Sequence, residues 1–157
     1  MLNIEHRNNK IFNIIESTVS DFCKVLDLDY YRKEESILVI HEGEDLFFIF
    51  PEFQKDRYYI NINCMVYSEL PTSKAAKLKE IYRSEEVADY ITEAGVALWF
   101  LDDKTLVTSH IIELNYSNYA ILKSRLLLDT FINVQNARKL KNKLEGLLAE
   151  KEQVRVN

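Results

Sequence analysis

Residues 57–70 read RYYININCMVYSEL. Within them Ile60, Ile62, Cys64 and Val66 alternate with Asn61, Asn63, Met65 and Tyr67. Successive side chains of a strand point to opposite faces, so this strand has one apolar face and one mixed face. An antiparallel sheet with one covered side has this pattern, and the chain must supply a layer to cover it.

The rest of the chain supplies that layer and the partner strands. SILVIHE (36–42) and DLFFIFP (45–51) are short, β-branched or aromatic, and flank Glu42-Gly43-Glu44. They predict a hairpin in which Gly43 takes a positive φ and Pro51 ends the second strand. Upstream, Ile11, Ile15, Val19, Phe22 and Leu26 recur at steps of three and four, which predicts a helix over about 9–27, capped by Asn8 or Asn9. Polar Asp27 to Glu35 breaks that pattern. Downstream, Pro71-Thr72-Ser73 leads into a helix over about 73–94, capped by Thr72 or Ser73. Ser84-Glu85-Glu86 marks an open point for a break in it, and Gly95 suits its left-handed terminus.

VALWFLDDKTLVTSHIIEL (96–114) then reads as two apolar strands around a turn, with Trp99 and Phe100 on opposite faces and the choice of which enters the core left open. A long helix over about 116–150 closes the chain. Its first half is apolar on several sides and is expected to be well buried; its second half narrows to the stripe Leu140, Leu144, Leu147. The order is α-β-β-β-α-β-β-α. It predicts an α+β fold, an antiparallel five-stranded sheet with helices packed on it and a long C-terminal helix. The expected organisation is one domain over 1–136, with 137–157 an extension of the last helix and a tail.

At 157 residues the chain buries roughly 68–70% of its unfolded surface and needs no disulfide or metal to fold. Its net charge of −5 argues against nucleic acid as a partner, because phosphate binding needs a concentrated basic face. Basic residues cluster only in Arg138-Lys139-x-Lys141-x-Lys143, which reads as a solvated helix face. Two cysteines, Cys23 and Cys64, sit in apolar patterns without a C-x-x-C, as buried thiols in a reducing compartment do. The N-terminus shows no secretory h-region, and no apolar run approaches the roughly 18–20 residues of a membrane span. A cytoplasmic location is expected.

The ionisable residues do not group into a familiar catalyst. Asp102-Asp103-Lys104 sits between two apolar runs, where Asp serves a tight turn by bonding nearby backbone N–H groups. His6, His41 and His110 lack a metal-ligand spacing, and neither cysteine has a local His partner. No phosphate-cradling glycine motif occurs. The expectation is therefore no enzyme, no metal and no cofactor. The aromatic content, nine Tyr, eight Phe and one Trp, exceeds what one small sheet covers. Such a surplus favours a partner interface, either a second copy or another chain.

The layout resembles the class I chaperones of bacterial type III secretion, the Tir-chaperone-like family, over about residues 10–135. The resemblance lies in a helix ending FCKVLDLD, the hairpin SILVIHEGEDLFFIF, a strand running into Leu70-Pro71 and a helix, AGVALWFLDDKTLVTSHIIEL, and the closing helix. It implies a cytoplasmic, non-enzymatic homodimer of a virulence system. Such a dimer holds the N-terminal segment of a secreted effector soluble and ready for secretion, by apolar patches and sheet-edge pairing. Carried to this chain, it makes Leu78, Tyr82, Leu98 and Phe100 dimer-interface candidates. Phe12, Ile15, Phe48, Phe50 and Ile62 become effector-binding candidates. The helix over about 73–94 is longer than the family pattern, the glycines near the family's fourth strand are reduced to Gly95, and the last helix runs past the usual end. These departures leave a second reading, a regulatory or adaptor domain of the same fold, as in YbjN-like proteins.

Overall fold

The structure is a computed structural model that describes residues 4–115 and 120–156, and side chains within 9–154. Its elements are α1 (Ile4–Leu26), β1 (Asp29–Lys33), β2 (Ser36–His41), β3 (Glu44–Gln54), β4 (Arg57–Tyr67), α2 (Thr72–Ile81), α3 (Glu85–Ala94), β5 (Ala97–Asp102), β6 (Thr105–Leu114) and α4 (Leu122–Val156). The fold is α+β, with one antiparallel sheet in the order β1-β2-β3-β4-β6-β5 and a long C-terminal helix. The sheet has six strands rather than the expected five. The added strand is β1, Asp-Tyr-Tyr-Arg-Lys, in which only Tyr30 is shielded from solvent. An edge strand of this kind pairs through its main chain alone, so no apolar alternation marks it. Its register against β2 runs from Asp29↔Ile40 to Lys33↔Ser36.

Other boundaries differ for physical reasons. No Gly or Pro stops α1 from starting at Ile4, ahead of the expected Asn cap. β3 runs three residues beyond Pro51. The β2–β3 pairing ends at Ile37↔Ile49, so Pro51 lies past β2, where a missing N–H costs no ladder bond on that side. The region 73–94 is two helices. α2 closes at Tyr82, whose N–H donates to the Leu78 carbonyl, and extended Ser84 precedes α3. The residue capping α2 is Pro71, and it makes no side-chain bond. Gly43 and Gly95 have φ of 80° and 68°, as the turn and helix-end readings require. Tyr116, Tyr119 and the first turn expected for the last helix lie outside the described residues, as does the His6 side chain.

The chain divides into two compact units, Met1–Asn63 with His110–Ile132, and Cys64–Ser109 with Asn133–Asn157. In the first, α1 lays Ile11, Phe12, Ile15, Val19 and Phe22 on the face of the sheet that carries Ile37, Val39, Phe47, Ile49, Ile60 and Ile62. The Phe22 and Phe47 rings meet edge to face at 5.6 Å, and the Arg32 guanidinium lies 4.2 Å over the Phe12 ring. The start of α4 joins this layer, where Lys123 pairs with Asp21 of α1 at 2.7 Å. Leu122 and Leu126 are buried there. The opposite side of the same helical turns is not buried as expected: Leu127, Leu128, Phe131 and Ile132 stay exposed. Periodicity shows that several sides are apolar, but it does not show that one chain can cover them all.

In the second unit Leu78, Val87, Leu106, Val107, Leu140 and Leu144 are fully buried. Ala137, Leu140, Leu144 and Leu148 of α4 are buried in it. Lys74 of α2 pairs with Glu145 of α4 at 2.7 Å, Lys77 pairs with Glu152 at 3.2 Å, and Lys151 pairs with Glu80. The Tyr67 hydroxyl donates to Glu145 at 2.6 Å, and the Lys74 and Lys141 ammonium groups lie 5.0 and 5.1 Å from its ring. Burial beside a carboxylate raises the Tyr67 pKa, so the hydroxyl keeps its proton and stays a donor.

Candidate functional site

Strand β5 ends the sheet and pairs only with β6. Its register is Ala97↔Ser109, Leu98↔Thr108, Trp99↔Val107 and Phe100↔Leu106. Alternation splits its side chains. Leu98 and Phe100 are half-buried, while Ala97, Trp99 and Leu101 are exposed. On the half-buried side Phe100 meets Tyr82 edge to face at 5.2 Å, and the Lys79 ammonium lies 5.2 Å from the Phe100 ring. On the other side Trp99 is 40% exposed and Leu101 44%. The Trp99 indole N–H donates to the Ser109 hydroxyl at 2.6 Å, which ties the ring to the strand behind it.

The carboxylates at the tip of this hairpin do structural work. Asp102 Oδ1 accepts the Lys104 N–H at 2.7 Å, and that bond holds the Asp102 carboxyl below the usual carboxylate range. Asp103 is solvated and pairs with Lys79 at 3.1 Å. The Leu70 N–H donates to the Lys104 carbonyl at 3.0 Å, docking the turn on the segment between β4 and α2. The two residues therefore form a bonded turn rather than a facing acid–base pair.

The sequence candidates fall into different surroundings. Tyr82, Leu98 and Phe100 gather on the helix side of β5, and Leu78 is fully buried with no surface of its own. Phe12, Ile15 and Ile62 are buried in the first unit's core. Phe48 and Phe50 occupy the other side of that unit's sheet, half-buried and stacked at 6.1 Å. The register places Leu38 and the exposed Tyr31 beside Phe48. The five effector-binding candidates thus do not form one patch. Sequence reasoning left open which of Trp99 and Phe100 faces outward, and it did not single out Leu101, whose neighbour Asp102 drew attention to the turn.

Burial pushes the Cys23 thiol up to about 11 and the Cys64 thiol up to about 12, so both hold their protons and pack as small apolar groups. His110 and Arg125 both contact Asp129, at 3.4 and 3.5 Å, in a half-buried charge cluster of the first unit. Among the described residues no group of three His, Cys, Asp or Glu side chains is placed to hold a metal ion. No described helix is long and apolar enough to cross a membrane. No protein-family model, no curated protein and no solved structure matches the chain.

Proposed function

We propose that this protein is a cytoplasmic, non-enzymatic, homodimeric chaperone of the type III secretion class. It would bind the N-terminal segment of a secreted effector and keep it soluble. One observation carries the reading. β5 is a sheet edge with no charged or Pro residue from Ala97 to Leu101, and Trp99 and Leu101 stand exposed on it. An open apolar edge is a template for a further strand, and proteins that do not use such an edge blunt it. An extended client segment would pair with the outward N–H and C=O groups of β5, while its alternate side chains cover Trp99 and Leu101. The resemblance of the sequence to the secretion chaperones supplies the client class.

The second reading, a YbjN-like regulatory or adaptor domain, draws on the stacked Phe48 and Phe50 on the outer face of the first unit's sheet, which offer a partner side chains rather than a strand edge. Co-expression with the N-terminal segment of an effector encoded beside this chain tests the first reading. It predicts a soluble complex, weakened about 30-fold or more by Trp99→Lys with Leu101→Lys, a hot-spot-sized loss. If no such segment binds, or if the double variant binds as well as the parent, the chaperone reading fails.

A further inference from the structure

We infer that a second copy of this chain docks on the exposed face of the first turns of α4, so that the homodimer forms through this helix. The inference rests on the homodimer in the reading above and assigns its interface to residues other than Tyr82, Leu98 and Phe100.

The segment 121–132 is apolar on two opposite sides. Leu122, Leu126 and Thr130 are 1%, 0% and 4% exposed and face the first unit's core. Ile121, Leu127, Leu128, Phe131 and Ile132 are 58%, 40%, 58%, 47% and 45% exposed. At about 100° per residue these five cover an arc of roughly 140° directly opposite the buried stripe. By contrast Leu78 has no exposed surface, and Tyr82, Leu98 and Phe100 are half-covered by their own unit.

Three observations point to a second copy as the occupant. First, the middle of the face is the stripe Ile121, Ser124, Leu128, Phe131, spaced three, four and three. That spacing reads the same in both directions. An antiparallel copy therefore sets Ile121 against Phe131 and Ser124 against Leu128 in every layer, pairing a smaller side chain with a larger one. A twofold interface needs this kind of self-complementarity, and the three-four spacing is the seam that helices use to interlock. Second, the face does not select a charged partner. Lys123 is paired with Asp21 at 2.7 Å and Arg125 with Asp129 at 3.5 Å, so two copies meet without opposing like charges. Third, the area fits. One face is of the order of the largest patches on monomers, roughly 300–600 Å². Two such faces together reach about 1,000 Å², the lower limit for a specific interface.

The test is the mass of the full chain in solution by sedimentation or light scattering, with helicity followed by circular dichroism. Wild type is expected at twice the 18.5 kDa chain mass. Leu128→Glu with Phe131→Glu is expected at the monomer mass with unchanged helicity, its dimerisation about 100-fold weaker or more. Ser124→Cys with Leu128→Cys is expected to give a covalent dimer on mild oxidation, which wild type, with Cys23 and Cys64 buried, does not give. A dimer that persists in the double glutamate variant, or one lost with Phe100→Glu and kept with Phe131→Glu, overturns the inference. A monomeric wild type overturns it together with the homodimer. The co-expression assay reads client binding separately, so its failure and the failure of this interface are distinct results.

Discussion

The two edges of the sheet are built on opposite principles. β1 reads Asp-Tyr-Tyr-Arg-Lys, and β5 reads Ala-Leu-Trp-Phe-Leu-Asp. Both have a single neighbour, and both leave a row of main-chain N–H and C=O groups unpaired by the sheet. On β1 the exposed positions include Asp29, Arg32 and Lys33, and Arg32 also shields the Phe12 ring beneath it. A further strand would have to desolvate those charges, so the edge is guarded. On β5 nothing charged stands before Asp102, and the Asp102 carboxylate is already engaged with the Lys104 N–H. The contrast shows that this chain blunts one edge and leaves the other open. An open edge is a liability in a monomer and an asset in a protein that binds extended segments.

The largest effect should come from the strand behind β5. Leu106 is fully buried opposite Phe100, and Leu106→Ala should cost about 2–5 kcal/mol in denaturant melts. Leu101→Ala, at an exposed position of the edge itself, should cost less than about 1 kcal/mol. Equal costs would mean that β5 is a packed strand and not an open edge. A middle-sized effect is expected from removing the guard on β1. Arg32→Thr with Lys33→Val should let that edge pair, read as concentration-dependent association at the level of a few cross-strand pairs of about 0.2–1 kcal/mol each. A variant that stays as dispersed as wild type would remove the guard argument.

The smallest effect concerns a site on neither edge. Salt bridging by Lys74, then the Tyr67 bond, holds the Glu145 carboxyl below its ordinary value of 4.5. A carboxyl depressed in the folded state adds stability above the unfolded pKa and loses it as pH falls through the folded one. Glu145→Gln should therefore melt below wild type at pH 7, with the gap closing as pH drops below 4.5, and should leave client binding unchanged. A gap that widens in acid would contradict this assignment.

What could be read from the sequence follows from what leaves a period. The turn at Gly43, the helix end at Gly95 and the Asp102 turn each have a local cause, and the structure contains all three; β4 is a strand as its alternation predicts, but Asn61, Asn63 and Tyr67 on its mixed side are buried too, so it is covered on both faces. β1 has no period because its side chains meet solvent on both faces, and so it reads as a polar connection. The break at 82–84 has no Gly or Pro, and only Ser84-Glu85-Glu86 marks it, so the sequence leaves it open. Alternation placed Trp99 and Phe100 on opposite faces but not which face α2 covers. That depends on Tyr82 reaching Phe100, a contact between distant residues. For the same reason Phe12 and Ile62 could not be told from Phe48 and Phe50: each lies on an apolar face, and only the position of α1 decides which face becomes core. The exposed side of α4 reads as core because its apolar period is the same whether or not the chain itself covers that face.

The most direct test of an open β5 edge is amide hydrogen exchange, comparing β5 with β1 in the presence and absence of the effector's N-terminal segment. Bound segment should slow exchange at residues 97–101 while residues 29–33 exchange as before. Protection at β1 instead, or a bound segment that leaves β5 unchanged, would contradict the account.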